Sequence, residues 1–502
     1  MPIRITGLNS GLDTEAIISA LVSSYSYKTQ KYEKAQTKLS WKQDAWKELN
    51  TKIYSLYTSV GNLRFTSAYN MKTATVSDST KVSVTAGSSA VNGSYSIQVT
   101  SLAKTGYLTG AELKKADTTD TTKVTSSTTL SELGYTGGDG TISLNGTEIA
   151  ISGDTKISEV ISKMKNAGVN ASFDEKNGRI FVSAKSTGEN NDFSLEGADA
   201  NGTAALVALG LDTSNGAKRI KGSDAEIWVN GAQFTNDTNS FSINGMTITA
   251  TGITGTSYDP DETNAVSASV NTDTQGIYDK IKDFLSQYNA LINEMTSLYN
   301  ADSAKGYEPL TDEEKDAMSD TEVEKWEAKI KDSLLRRDDT LSSIMSAMTG
   351  AMTKGISVNG ETLYLSSFGI QTLGYLNAPK NEQNAYHIDG DEDDVNTSGK
   401  TDKLMAAIAE DPDKVIEFMQ GLTKNLYESV DKKMKGTTLS STYTVYNDKE
   451  MASEYSDYTS LITKWQERLE QQEEYYYNKF SAMETALSKL NSQTSSLSGL
   501  FG

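Results

Sequence analysis

Hydrophobic residues repeat in alternating steps of three and four near both ends of this 502-residue chain. The N-terminal stripe is interrupted only by Lys28 and Lys42, and its members are Ile18, Leu21, Tyr25, Tyr32, Ala35, Leu39, Trp46, Leu49, Ile53, Leu56, Val60 and Leu63. The C-terminal stripe consists of Tyr476, Phe480, Met483, Leu487, Leu490, Thr494, Leu497 and Phe501. Such spacing predicts long helices that pack against other helices along one narrow face.

Stripes this narrow and long suit helix pairing better than lying on a single globular core, which is the alternative. We therefore expect the terminal helices to pair with each other, with copies from neighbouring subunits, or with both. The residues predicted to form contacts between molecules are Ile18, Leu21, Tyr25, Tyr32, Leu39, Phe480, Met483, Leu487, Leu490, Leu497 and Phe501.

The composition excludes several classes of function. With 67 Asp and Glu against 47 Lys and Arg, the formal net charge is −20, which repels nucleic acid and anionic lipid head groups. No stretch reaches the ~20 apolar residues of a membrane span, so membrane insertion is not expected. Cysteine is absent and His387 is the only histidine, which removes thiolate nucleophiles, Cys/His zinc sites and most imidazole chemistry.

The remaining candidates for a metal or catalytic site are weak. Asp389, Asp391 and Asp393 alternate as in an EF-hand calcium loop, but Asp394 replaces the turn glycine and a lysine replaces the bidentate glutamate. We interpret the segment as a solvated acidic loop and assign His387 no role. A pair of carboxylates that could hydrolyse a glycoside is recognised by the distance between the two groups in the folded protein, so the sequence alone does not test for one. We expect no enzymatic activity, cofactor or bound metal.

The order of secondary-structure signals predicts a β region inserted between helices. A first helix should begin at Asp13, a favourable N-cap, and run to about Thr66. Alternation of period two starts near Thr73, and one amphipathic helix is expected at Lys156–Ala167. Asn-Gly pairs, which favour tight hairpin turns, recur at 145–146, 177–178, 230–231, 244–245 and 359–360.

Helical signals return at Gly276 and continue towards the C-terminus. Two capping boxes are predicted, Thr311 with Glu314 and Ser319 with Glu322. The further elements expected are helices at Leu341–Met352, Lys403–Ala409 and Asp413–Lys435 and a hairpin at Ile356–Tyr364.

The local sequence near the N-terminus is distinctive, since residues 5–14 read ITGLNSGLDT and IISALV follows at 17–22. It resembles the opening of the flagellar filament cap proteins, also called the flagellar hook-associated protein 2 family. KFSAME at 479–484 and LNSQ at 490–493 resemble the family's C-terminus, and PLTDEEK at 309–315 and FGI at 368–370 resemble its helical domain. Residues 104–220 are similar only in type, as expected for the family's variable outer domain.

This resemblance implies an α+β multidomain chain with terminal helical coiled-coil legs, a helical bundle domain and inserted β-rich outer domains. The implied bounds are 1–40 with 465–502 for the legs, 41–70 with 276–464 for the helical domain with its hairpin, 71–108 with 222–275 for a β-rich domain, and 109–221 for an inserted variable α+β domain.

The resemblance also implies a non-enzymatic structural protein at the tip of the bacterial flagellum. Such proteins form a homo-oligomeric ring of about five subunits and promote flagellin folding and polymerisation beneath it, so the stripe residues would contact other subunits and the filament. Further implied partners are the hook–filament junction proteins and a type III export chaperone at the C-terminal helix. The implied location is extracellular, reached without a cleaved signal through the flagellar type III apparatus. The alternative is a surface adhesin that binds a host glycan or protein through its outer β domains.

Overall fold

The computed structural model describes residues 10–119 and 122–501, without the side chains of residues 498–501. Helices occupy both ends of the chain, and strands dominate between them, which confirms the α+β multidomain class. In chain order, the α-helices of the described residues are α1 (Thr14–Leu63), α2 (Ile157–Asn166), α3 (Ala200–Ala208), α4 (Thr274–Tyr299), α5 (Asp312–Asp316), α6 (Asp320–Asp332), α7 (Asp339–Met352), α8 (Lys403–Glu410), α9 (Pro412–Met434) and α10 (Asp448–Phe501).

Most strands are short and antiparallel, and most lie between α1 and α4. In chain order they are β1 (Lys72–Val76), β2 (Val82–Ala86), β3 (Gly93–Ser101), β4 (Thr105–Thr109), β5 (Gly140–Leu144), β6 (Thr147–Ile151), β7 (Asn170–Asp174), β8 (Arg179–Thr187), β9 (Leu195–Gly197), β10 (Lys218–Ile220), β11 (Ala225–Val229), β12 (Ala232–Asn236), β13 (Ser240–Ile243), β14 (Met246–Ala250), β15 (Val266–Thr272), β16 (Ile356–Val358), β17 (Glu361–Leu363), β18 (Ile370–Gln371) and β19 (His387–Ile388).

The chain forms two compact units, Met1–Tyr69 with Thr274–Gly502, and Asn70–Asp273. The first unit has one core, to which α1, α4, α7, α8, α9 and α10 contribute buried side chains. Its largest fully buried side chains include Trp46, Phe284, Tyr288 and Phe418. Burial of these aromatic side chains, together with the many Leu, Ile, Val and Met side chains around them, stabilises the helical core.

Helix α1 begins where the sequence predicts and continues without a break into the core. The Asp13 carboxylate accepts a hydrogen bond of 3.0 Å from the amide of Ala16, which caps the first turn. Beyond Leu39, the apolar members of the N-terminal stripe, from Trp46 to Leu63, are all buried. Both predicted capping boxes are present, at the starts of α5 and α6.

The unit Asn70–Asp273 contains two separate apolar cores. One lies between a five-stranded sheet, β1-β15-β3-β11-β12, and a three-stranded sheet, β13-β14-β2. The other is built by the sheets β10-β4-β8-β7 and β6-β5-β9 together with α2 and α3. The sequence predicts α2 to within one residue at each end, but it does not predict α3, in which Gly202 weakens the helical signal.

Asn-Gly pairs form the tight turns expected of them at four of the five predicted positions. Asn145, Asn230, Asn244 and Asn359 have φ angles of 53°, 47°, 48° and 51°, and each following glycine also has positive φ. The fifth pair differs, because only Gly178 has positive φ and it ends a longer connection between β7 and β8.

Each of the two inserted segments begins and ends at backbone positions that are neighbours in space. The amide of Asp273 donates to the carbonyl of Met71 at 2.9 Å, where the unit Asn70–Asp273 begins and ends. Within that unit, Lys104 and Ser223 exchange two backbone hydrogen bonds, of 2.9 and 3.1 Å, at the base of the segment between them. Neither insertion therefore needs a long connection to close.

We predict that the fragment Asn70–Asp273 folds by itself, since its two cores are internal and its ends are already joined through β1 and β15. The purified fragment should show a β-rich circular dichroism spectrum and a cooperative thermal transition. A fragment shortened to Arg179–Asp273 is the control, because it lacks β4 and β5 and should not fold. Absence of a cooperative transition in Asn70–Asp273 would contradict the prediction.

Candidate interaction site at the paired terminal helices

Helices α1 and α10 lie side by side and run in opposite directions. The rings of Tyr25 and Trp465 have centroids 6.2 Å apart, and those of Tyr32 and Tyr458 are 6.3 Å apart. Nearer the N-terminus, the Ser10 hydroxyl donates to the Glu484 carboxylate. Residues later in α1 thus contact residues earlier in α10, as expected of an antiparallel pair. The expected pairing of the terminal helices with each other is confirmed.

The face of α1 that meets α10 differs from the predicted stripe at every second position. Val22 is only 3% exposed and Thr29 is buried, whereas Leu21 is 44% exposed and Lys28 lies outside, with its ammonium 4.2 Å from the Trp465 ring centroid. Steps of four then three have the same mean period as steps of three then four, so the sequence cannot separate the two stripes. In the structure, α10 packs on the stripe that contains Val22 and not on the one that contains Leu21. The prediction that Leu21 lies in the seam of this pair is therefore wrong.

Polar contacts accompany this helix pair and join α1 to the helical core. The Gln36 amide donates to the hydroxyl of Thr459 on α10 at 2.7 Å. On other sides of α1, Lys34 forms an ion pair of 2.7 Å with Glu314, and Lys42 forms one of 2.9 Å with Asp338. Ion pairs this accessible contribute little stability, and their main effect is to fix which side of α1 faces the core.

The predicted contact residues have very different environments. Ile18 and Leu39 are buried within the chain, while Tyr25 and Tyr32 are half-buried against α10. On α10, Phe480, Met483 and Leu487 are half-buried. Leu490 and Leu497 are 57% and 55% exposed. Phe501 lies at the end of α10, and its side chain is outside the described part of the chain.

The last turns of α10 extend past the part of the helix pair that buries side chains. Glu484 is buried beside Ser10, but no side chain of residues 485–497 is buried. An amphipathic helix whose leucines face water gains little stability by itself and more from a partner that covers them. The exposed leucines on this end of α10, together with Leu21 on α1, are the best candidates for contacts with another molecule.

Lysine ammonium groups occupy the places between the carboxylates of the EF-hand-like segment. Lys282 on α4 lies 2.6 Å from Asp391 and 2.6 Å from Asp393, and Lys400 lies 2.8 Å from Asp389. The interpretation of a fully solvated loop is wrong for Asp389, which is buried. Among the residues described, no group of three His, Asp or Glu side chains is placed to hold a metal ion.

Opposing effects set the pKa of the Asp389 carboxyl. Burial raises it, but hydrogen bonds from the Lys400 ammonium and the Gln371 amide favour the ionised form and hold the pKa below its ordinary value. His387 lies close by, with its Nδ1 atom 2.5 Å from the Asp394 carboxylate. The His387 ring on β19 is therefore engaged in a structural pair with a carboxylate.

In the described residues, no α-helix combines the length and the apolar character needed to cross a membrane. The long helices α1 and α10 both carry frequent charged residues.

Two family models match this sequence along most of its length. The model of the flagellar hook-associated protein 2 C-terminus covers residues 222–492, and the model of its N-terminus covers residues 10–106. The chain belongs to the flagellar hook-associated protein 2 family. Helix α1 lies wholly inside the first matched region, and α10 lies inside the second up to residue 492. The segment between the matches contains the core of α2 and α3.

Relatives named flagellar hook-associated protein 2 match over the full chain. The protein from Halalkalibacterium halodurans is 26% identical, and the match covers 99% of this chain and 99% of that protein. The protein from Escherichia coli is 25% identical, over 99% of this chain and 97% of its own. The crystal structure of the flagellar cap protein FliD from Escherichia coli has a TM-score of 0.50 at 20% identity and covers 79% of this chain and 97% of its own, a likeness that shows the fold alone.

The apolar stripes seen in the sequence do not include Val22, Thr29 and Gln36 on α1 or Trp465 on α10. A signal for them exists, because the spacing 18, 22, 25, 29, 32, 36, 39 is also a heptad. Two members of this heptad, Thr29 and Gln36, are polar, so a search for apolar residues alone does not detect it.

We predict that Val22→Asp separates α1 from α10 and that Leu21→Asp does not. Val22 is buried against α10, and a charge there replaces about 1.5–3 kcal/mol of apolar burial with a desolvation cost. Hydrogen exchange should therefore become faster in residues 14–32 of Val22→Asp. Leu21→Asp is the matched control and should exchange like the unchanged protein. Equal protection in both variants would show that the helices do not pair through Val22.

We predict that Asp389→Asn lowers the free energy of unfolding at pH 7 by about 1–3 kcal/mol, the usual contribution of hydrogen bonds to a charged group. Because the folded-state pKa of Asp389 is depressed, this stabilisation is present above the ordinary Asp value near 3.9 and is lost as pH falls through the lower folded value. Urea unfolding at several pH values measures the difference. Asp393→Asn is the control, since that side chain is 85% exposed and its ion pair should contribute little.

Proposed function

We propose that this protein caps the tip of the flagellar filament and promotes flagellin polymerisation beneath an oligomeric cap. Membership in the flagellar hook-associated protein 2 family carries this proposal. The exposed leucines at the end of α10 support it, since they provide an apolar surface that the single chain leaves open. The protein acts in this proposal as a structural component and not as an enzyme.

We propose that the paired helices α1 and α10 are the legs that meet other subunits and flagellin. Along the legs, Tyr25, Tyr32 and Phe480 are only half-buried, so part of their surface stays available to a neighbouring molecule. Helices of this kind gain most of their stability from packing, which lets them rearrange as each flagellin subunit enters. A ring of about five subunits, as the family resemblance implies, provides several such legs around one axis.

The remaining partners and the location belong to the same proposal. A type III export chaperone would cover the C-terminal turns of α10 before export and keep Leu490 and Leu497 from aggregating. After export through the flagellar type III apparatus, the protein would reach its extracellular position at the flagellum tip, beyond the hook–filament junction proteins.

We predict that the double variant Leu490→Asp/Leu497→Asp loses capping while keeping its fold. Both side chains are more than half exposed, so the charges should leave the thermal transition of the protein unchanged. They should block a partner that buries these leucines, at up to about 2–3 kcal/mol for each. Cells that carry the variant should release unpolymerised flagellin and swim poorly, and mass photometry should show smaller assemblies than those of the unchanged protein.

The control for this variant is Leu376→Asp, which places a charge on an even more exposed leucine in a loop between β18 and β19. It should leave swimming and assembly unchanged. Normal filaments in the double variant would show that the end of α10 is not the functional contact.

A second candidate function is a surface adhesin that binds a host glycan or protein through the outer β domains. The observation that favours it is a pair of exposed aromatic residues, Tyr107 and Phe181, on the sheet β10-β4-β8-β7. The two functions are compatible in one molecule. Loss of adhesion with normal swimming identifies the adhesin, and loss of swimming identifies the cap.

A further inference from the structure

Two exposed aromatic rings lie on the outer face of the sheet β10-β4-β8-β7. Tyr107 on β4 is 50% exposed, and Phe181 on β8 is 39% exposed. In the strand register, Tyr107 lies opposite Ser183, and Phe181 lies opposite Thr109, so the two rings are diagonal neighbours on one face. The opposite face of the same strands is buried, which means that these aromatic residues are not part of the core.

Both rings line a shallow cleft of about 440 Å³. The other side chains that bear polar groups on its wall are Lys165, Asn170, Ser172, Ser183 and Lys185. No carboxylate lines this cleft, although the chain carries a net charge of −20. Lys165 and Lys185 are exposed, and neither forms an ion pair with any residue in the described part of the chain.

The cleft therefore combines three kinds of group in a small area. Exposed aromatic rings present flat apolar faces that stack on rings of similar size, including the C–H faces of pyranose sugars. Ser172, Ser183 and Asn170 offer hydroxyl and amide groups that hydrogen-bond sugar hydroxyls. The two unpaired lysines attract anionic groups. They make the cleft locally positive although the protein as a whole is negatively charged.

We propose that this cleft binds an acidic polysaccharide, with sugar rings on Tyr107 and Phe181 and the carboxylate or sulfate groups beside Lys165 and Lys185. Charge complementarity identifies the ligand as anionic, and the aromatic rings distinguish a sugar polymer from an acidic peptide. Single-stranded DNA also stacks on aromatic rings, but it has no free sugar hydroxyls along its backbone to pair with Asn170, Ser172 and Ser183 on the cleft wall. This inference names the ligand class of the adhesin function and does not depend on capping.

The test measures binding of the full-length protein to heparin, alginate, neutral dextran, polyglutamate and oligothymidylate by biolayer interferometry. Heparin carries sulfate and carboxylate groups, while alginate carries carboxylates alone, so these two arms separate the anionic groups. We expect binding to heparin, alginate or both, which weakens as salt is added because charges are screened. Dextran and polyglutamate should bind at least about tenfold more weakly, a difference of about 1.4 kcal/mol.

Two pairs of substitutions test the residues. Tyr107→Ala/Phe181→Ala should weaken acidic polysaccharide binding by about tenfold or more, and Lys165→Gln/Lys185→Gln should weaken it and reduce its dependence on salt. Tyr107→Phe keeps the ring and should bind like the unchanged protein, which separates a stacking role from a loss of folding. Lys156→Gln/Val207→Ala changes an exposed lysine and an exposed valine outside the cleft and should have no effect.

Several results would overturn the inference. These are no binding to either acidic polysaccharide, equal binding of polyglutamate or oligothymidylate, or full binding by the Tyr107→Ala/Phe181→Ala variant when its circular dichroism is unchanged. Swimming of cells that carry the cleft variants should be normal. A failure of the polysaccharide inference is therefore distinguishable from a failure of the capping proposal.

Discussion

Contact between the first and last helices is the interaction on which the rest of this structure depends. Helices α1 and α10 belong to opposite ends of the chain, and every other element lies between them in sequence. Where they approach the core, Trp46 on α1 stacks on Tyr446 just before α10, with ring centroids 5.4 Å apart and planes at 10°. Further out, the pair combines half-buried tyrosines with the buried side chains of Ile18 and Val22. The last turns of α10, which bury no side chain, are therefore the part expected to open most easily.

Much of the fold could be predicted because its strongest signals are local. Asp13, the two capping boxes and four Asn-Gly turns each act through backbone groups within a few residues, and the structure contains all of them. Helix α3 was missed for the same reason, since Gly202 gives it a weak local signal and burial of Leu206 and Ala205 stabilises it instead. Tertiary burial outweighs propensity at such positions.

The candidate site could be predicted less completely, because it depends on which helix lies against which face. The heptad period shows that α1 has a partner, but only the position of α10 decides between Leu21 and Val22. Likewise, the acidic residues at 389–393 are visible in sequence, yet Lys282, which neutralises two of them, is 109 and 111 positions away from its partners. Pairings over such separations in sequence leave no local pattern.

The short closures at Met71 with Asp273 and at Lys104 with Ser223 have a consequence for how this protein can diversify. Each inserted segment begins and ends at hydrogen-bonded neighbours, so its two ends are held close together whatever the length of the chain between them. Recombination could exchange the segment between Lys104 and Ser223 as a cassette, altering antigenic surface or ligand preference while the ends of the chain stay under separate selection. The same geometry makes that pair a natural junction for displaying a foreign domain whose own termini are close together.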